Sequence, residues 1–432
     1  MSTHLFAPAY KPEPFWWERS PLCAEPEPAL PTSADVVIIG SGYTGLCAAI
    51  QTARGGRHTV VVEADAIGSG CSSRNGGQIS TSIKPQYGDL SRKVGEKLAY
   101  DIIKEGHNAL KWIGDFVEAE SLDCDFDVVG RFYAGHTPGQ FEMIAKSIEN
   151  PQKGLETDAY VVPKAEQHVE IDSPDYHGGV VFPRHAAVDP GAYHKGLLDR
   201  AREAGATVIG HCGAEGISGA AGDFTIATAK GPIKARNIIV ATNGYTRGLT
   251  PWQQRRIIPI GSYIIATEPL APGVIQRLIP KRRVVNDTRK LVVYYRTDPA
   301  GERILFGGRV SISETDPTAA APAMHAEMVM RFPDLAGTPI THAWMGFVGY
   351  TFDEMPHLGA QNGIHYSMGY CGSGVSLSSY FGTKIGQQVL GLKEGDSPLS
   401  QIDFPTRPYY WGKPWFLAPS IRYYRWKDAR AA

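Results

Sequence analysis

The feature that most constrains this chain is the turn Gly40-Ser41-Gly42-Tyr43-Thr44-Gly45, set directly behind the β-branched run Asp35–Ile39 (DVVII). A short apolar run of that composition reads as a buried parallel strand. Gly40 permits the tight turn after it, Gly42 lets backbone approach a pyrophosphate, and Gly45 lets the next helix pack closely on the strand. The helix starts beside Tyr43 and Thr44, and its free N–H groups and dipole favour an anion. It runs to about Arg54, Gly55-Gly56 stops it, and Thr59-Val60-Val61-Val62 supplies a second strand. A strand–turn–helix–strand unit of this kind predicts a dinucleotide.

Two further glycine-rich stretches narrow the ligand. Glu63 closes the second strand 23 residues after Gly40 (63 − 40). An acid there accepts hydrogen bonds from the adenosine ribose hydroxyls and repels the extra phosphate of NADP. Ala64 follows it, and the loop Gly68–Gln78 then carries Ser72, Ser73, Arg74, Asn75, Gly76, Gly77 and Gln78. That loop lies where the rest of a long dinucleotide must run, and its N–H groups and arginine suit phosphates or a flavin edge. Late in the chain, Gly372, Ser373, Gly374, Val375 and Ser376 open a helix that continues from Leu377 to Leu390. A helix start aimed at a flavin pyrimidine stabilises negative charge on the reduced ring. Together the three motifs predict FAD.

Composition removes other classes. Lys+Arg 43 against Asp+Glu 44 leaves no basic surplus for nucleic acid. At 432 residues, two joined domains are expected. No apolar run approaches the ~20 residues of a membrane span, and the first residues do not read as a secretory signal. Six scattered cysteines suit reduced thiols in a cytoplasm, and no metal site is expected. Residues 1–33 read as a proline-rich arm (Pro8, Pro12, Pro14, Pro21, Pro26, Pro28, Pro31) anchored by Phe15, Trp16 and Trp17. One long amphipathic helix is predicted over 92–119. Another helix is predicted behind an Asp189 N-cap, with Gly205 after its end. Strands are expected at Thr207–His211, Phe224–Ala229, Asn237–Ala241, Ser262–Thr267, Leu291–Arg296 and Ile304–Gly307.

The stretches DVVIIGSGYTGLCAA, VVVEADAIGSGCSSRNGGQ, ARNIIVATNGYT and GYCGSGVSLSSYFG resemble the D-amino-acid-oxidase/glycine-oxidase/sarcosine-oxidase superfamily of flavoproteins. The SSRNGGQ loop, the Trp16-Trp17 arm and PIGSYIIATEPL look most like its γ-glutamylputrescine oxidase branch. The resemblance implies an α/β plus α+β fold: a discontinuous Rossmann-like FAD-binding domain with a mostly antiparallel-sheet substrate domain. On this sequence it implies FAD segments at 34–90, 165–248 and 346–395, substrate segments at 91–164 and 249–345, and a tail at 396–432. Ala214, Ala241, Thr242 and Asn243 join the expected FAD contacts. The family oxidises a C–N bond of a small amine or amino acid by hydride transfer to flavin N5. The imine is then hydrolysed, and O2 commonly takes the electrons to give hydrogen peroxide. Alternatives on the same scaffold are a dehydrogenase feeding a quinone or carrier and a non-catalytic FAD-binding subunit.

Departures from the family pattern shape the site expectations. In the stretch Trp344–Gly349 relatives often place a carboxylate-binding arginine where this chain has Val348, which makes Arg309 the candidate anchor. Tyr263 and Tyr295 are candidates to line the flavin face, and His357 is the histidine nearest a family-like turn. Val348–Thr351 lacks the cysteine that holds flavin covalently in some relatives, so FAD is expected to be noncovalent. The oxygen-activating lysine of some relatives falls near Leu305 and has no counterpart there. The aromatic, basic stretch Trp411–Trp426 reads as a docked tail, with membrane-surface contact as the alternative.

Overall fold

The strand Ser33–Ile39 buries Val36, Val37 and Ile38 completely, as a strand covered on both faces must. In this computed structural model, which describes residues 5–23, 28–81, 83–309 and 314–430, that strand is central to an eight-stranded sheet. Thr59–Val62 pairs parallel on one side, with Thr207–Ile209 beyond it, and Gly231–Val240 pairs parallel on the other. Ile364–Met368 joins Gly231–Val240 in parallel, while Ala214–Ala220 and Asp223–Thr228 add an antiparallel extension. Helices Tyr43–Arg54, Glu96–Ala119, Pro190–Glu203 and Gly374–Val389 share one core through Leu46, Ile113, Leu197 and Phe381.

The second sheet has nine strands. In spatial order they are Phe6–Lys11, Ile340–Tyr350, Ile258–Thr267, Ile304–Gly308, Tyr294–Thr297, Val284–Asp287, Arg131–Ala134, Gly178–Phe182 and Tyr160–Pro163. All neighbours are antiparallel except the first pair and the pair Val284–Asp287 with Arg131–Ala134. One face packs on helix Pro317–Arg331, with Tyr263, Ile265, Tyr295 and Phe306 meeting Met324 and Met328. The opposite face looks toward the first sheet.

Several expectations shift. The helix predicted over 92–119 is two helices, Tyr87–Val94 and Glu96–Ala119, because Gly95 at φ +86° interrupts it. Residues 165–182, expected in the FAD segments, end in the strand Gly178–Phe182 of the nine-stranded sheet. The boundary expected at 346 cuts through Ile340–Tyr350, whose ladder with Ile258–Thr267 runs on to Tyr350. The proline-rich arm contains a true edge strand, Phe6–Lys11; its Pro26 lies outside the described residues. Among the described residues no helix is long and apolar enough to cross a membrane.

Candidate active site

Gly40 holds φ +107°, and a Cβ on Gly45 would stand 1.9 Å from the Gly40 carbonyl oxygen, so turn and helix meet at a separation only glycine allows. Helix Tyr43–Arg54 begins there. The Glu63 carboxylate accepts from the Ser41 N–H and Oγ–H, both at 2.8 Å, and from the Ala64 N–H at 2.8 Å. Strand end and glycine turn are thereby fixed to each other. His194, which the sequence reading missed, donates from Nε2 to the Ser41 carbonyl at 2.8 Å. Burial pushes its pKa below the ordinary histidine value, so it acts as a neutral donor.

The loop Gly68–Gln78 is clamped from three directions by indoles. Trp16 Nε1 donates to the Asn75 carbonyl (2.9 Å), Trp17 Nε1 to Ser73 Oγ (2.8 Å) and Trp344 Nε1 to the Arg74 carbonyl (2.7 Å). The Asn75 amide donates to the Ser72 carbonyl (2.9 Å), and Ser72 Oγ accepts from the Tyr43 N–H (3.0 Å), tying the loop to the helix start. Arg74 was expected to meet phosphate or flavin. It lines the cavity, but its Nε donates to the Ser69 carbonyl at 2.6 Å and its guanidinium sits 4.6 Å over Trp17. Its charge is held by the loop itself, and burial lowers its pKa.

The late glycine motif comes to the same place. Tyr370 and Thr44 hydroxyls hydrogen-bond at 2.7 Å, and Asn243 Oδ1 accepts from the Gly369 N–H at 2.9 Å. Gly40, Gly42, Tyr43, Thr44, Glu63 and Ala64 share one cavity of about 1850 Å³ with Ala214, Ala241, Thr242, Asn243 and Gly372–Val375. That volume exceeds the roughly 300–1,000 Å³ of ordinary ligand pockets. Ser72, Asn75, Gly76 and Gln78 also line it, whereas Gly45, Ser73, Gly77 and Ser376 act behind the wall. Ser73 donates to the Gly68 carbonyl at 2.5 Å and Ser376 to the Ser80 carbonyl at 3.2 Å. A glycine-cornered helix start, serine hydroxyls and a terminal carboxylate around a long cavity fit an adenine dinucleotide.

The nine-stranded sheet closes the cavity with alternate residues, among them Ser262, Tyr294, Gly308, Val348 and Tyr350. Tyr263 and Tyr295 are one residue out of phase and do not line it. Strand side chains alternate faces, so both point into the core against helix Pro317–Arg331. The Tyr263 oxygen accepts from the Thr315 N–H (2.8 Å), and Tyr295 donates to the Tyr176 oxygen (3.0 Å) while stacking on Phe306. Tyr294 lines the cavity instead, hydrogen-bonded to Ser262 at 2.9 Å. Arg309 lines the cavity but is bound to the Gly261 carbonyl (2.6 Å) and to Glu314 (3.2 Å), so it is no free anchor. His357 is buried away from the cavity, 3.1 Å from Asp353 and stacked on Phe404 at 4.1 Å.

Lys84 also reaches the cavity, its Nζ 3.1 Å from the Tyr350 hydroxyl. Burial alone would lower its pKa, but the neighbouring Tyr350, Cys371 and Glu354 outweigh that and raise it. The C-terminal helix Leu417–Arg430 docks at the mouth, where Asp428 accepts from the Lys290 and Leu291 N–H groups at 3.1 and 3.2 Å.

Residues 35–388 match the sequence profile of the FAD dependent oxidoreductase (DAO) family. The chain belongs to that family. This FAD-dependent oxidoreductase is 31% identical over 402 residues to the probable oxidoreductase OrdL of Rhizobium meliloti, covering 91% of this chain and 92% of that protein. It is 29% identical over 409 residues to the gamma-glutamylputrescine oxidoreductase of Escherichia coli, covering 92% and 93% respectively. Glycine oxidase from Geobacillus kaustophilus shares the fold, with a TM-score of 0.72 at 16% identity over 88% of this chain and 100% of that one.

Proposed function

We propose that this protein is a cytoplasmic FAD-dependent oxidase of a small secondary amine or N-substituted amino acid. Iminodiacetate-, sarcosine- and γ-glutamylputrescine-like compounds are the substrate types. The likeness to gamma-glutamylputrescine oxidoreductase over 92% of the chain carries the reading. The cavity supports it, since one continuous space joins the dinucleotide cradle to the sheet wall. FAD, when bound, would supply the two-electron acceptor for a hydride leaving the carbon next to nitrogen, with O2 as the final acceptor, reduced to hydrogen peroxide.

The chain's own residues have simpler duties. Glu63 and the Gly40–Gly45 turn hold the adenosine half, and the helix start at Gly374 brings its positive dipole end to the late loop. Tyr294, Val348 and Tyr350 form a wall that orients the substrate and excludes water. Lys84 places a cation on that wall, which disfavours an ammonium and favours the neutral amine that can be oxidised. The imine leaves to be hydrolysed by water.

The test is anaerobic bleaching of the yellow holoprotein across such amines, with peroxide and aldehyde assayed in air. Silence with every amine, together with turnover of a hydroxy acid, rejects the reading. Fast reoxidation of the bleached protein in air marks an oxidase, and slow reoxidation marks a dehydrogenase.

A further inference from the structure

The guanidinium groups that reach the cavity are mostly accounted for by other protein groups. Arg309 is held by Glu314, Arg289 by Asp287 and Asp175, and Arg74 by the Ser69 carbonyl. Arg131 differs. Its strand sends Phe132 and Ala134 into the core, so Arg131 and Tyr133 face the cavity. The guanidinium lies 4.7 Å over the Phe182 ring and 5.4 Å from the Tyr133 ring. Among the described residues no carboxylate pairs with it, and its Nε is buried without a hydrogen-bond partner. Burial pulls its pKa down to about 10, so it still carries its charge at neutral pH. A desolvated, unpaired cation is costly to keep, and such groups in clefts mark ligand sites.

We propose that Arg131 receives a carboxylate of the substrate that is remote from the carbon being oxidised, an inference that rests on the amine-oxidase reading above. The remoteness follows from the sheet. A Cβ on Gly76, in the flavin loop, would stand 2.9 Å from the Tyr294 ring, which places that tyrosine against the loop. Two strand spacings separate Tyr294–Thr297 from Arg131–Ala134, about 10 Å at ~4.8 Å per strand. An α-carboxylate, two bonds from the nitrogen, does not reach across that gap. Asn286 stands on the intervening strand; its amide donates to Gln78 at 3.1 Å, and its Oδ1 is buried with no donor. That oxygen suits an N–H in the connecting chain: Asn286 faces Tyr294 on one side and Tyr133 on the other, and Arg131 lies two residues further along the strand of Tyr133.

The holoenzyme is titrated with glutarate and with neutral glutaramide while its melting temperature is followed. Glutarate raises the melting temperature of the unaltered protein and glutaramide does not. Arg131→Met loses the glutarate response, and Arg131→Lys keeps a weakened one because an ammonium lacks the guanidinium's paired donors. With an amine carrying a remote carboxylate, Arg131→Met raises KM about 10- to 100-fold, and kcat stays within about threefold. The amide-capped form of the same amine shows equal KM in both proteins. An equal glutarate response in unaltered protein and Arg131→Met overturns the proposal, as does an equal response of unaltered protein to glutarate and glutaramide. If Arg131→Met fails to fold, Arg131→Lys and the acid–amide comparison decide it. Failure of the amine-oxidase reading shows separately, as flavin that no amine bleaches whatever glutarate does.

Discussion

In the eight-stranded sheet the groups facing the cavity are largely backbone: the turn at Gly40–Gly45, the helix start at Tyr43, the strand end at Ala241. In the nine-stranded sheet they are side chains on every second residue, such as Tyr133, Asn286, Tyr294 and Val348. The difference teaches where specificity can vary. A backbone cradle tolerates almost no change, because each glycine answers a contact at fixed distance. A side-chain wall keeps its hydrogen-bond ladder whatever residue projects from it, so substrate preference can change without disturbing cofactor binding.

The contrast breaks most severely at Gly45. Gly45→Val puts carbon where only 1.9 Å separates it from the Gly40 oxygen. It costs about 4 kcal/mol or more and abolishes FAD uptake, read as colourless protein with a depressed melting temperature. Glu63→Gln is the next largest, removing the charge that holds the Ser41 N–H and hydroxyl. FAD affinity measured by fluorescence titration falls about 10- to 100-fold, with the fold retained.

Adjacent tyrosines then sharpen the side-chain half. Tyr295→Phe leaves the buried Tyr176 hydroxyl without its partner and lowers stability by about 1–2 kcal/mol, with kcat/KM unchanged. Tyr294→Phe does the reverse, lowering kcat/KM severalfold at nearly constant stability. Equal kinetic effects from both would show that the two faces are not distinct.

The smallest expected effect is a pH dependence. Burial lowers the pKa of His194 beneath the glycine turn and of His185 beside the nine-stranded sheet. Each is neutral in the fold and free to protonate when unfolded. The unfolded chain therefore binds more protons below about pH 6.5. Stability is full above that pH and declines as pH falls from there toward the folded values. Melting curves from pH 8 to 5 follow it, and His194→Gln should shallow the slope.

The same contrast explains what could be read in advance. Gly40, Gly42, Gly45, Glu63 and the Gly372–Ser376 loop were legible because a backbone site demands particular residues at particular offsets. Tyr294 was not, since a Tyr-Tyr pair on a strand carries no mark of which ring faces in; register with Ile304–Gly308 decides that. Arg309 looked free because nothing in the sequence marks Glu314 as its ion-pair partner. Arg131 stands between Gly130 and Phe132 and reads locally as an ordinary strand arginine; only the absence of a carboxylate partner among the described residues distinguishes it. His194 lies inside a predicted helix whose docking on the turn has no local signature.

The tryptophan clamp has a consequence for assembly. Phe6–Lys11 finds its neighbour in Ile340–Tyr350, and Trp344 of that strand grips the loop that Trp16 and Trp17 grip from the arm. On the ribosome the arm emerges early, yet its docking groove does not exist until the far strand has been made. A segment made well before the strand it docks on is thus among the latest to seat, a latch thrown once both sheets are in place.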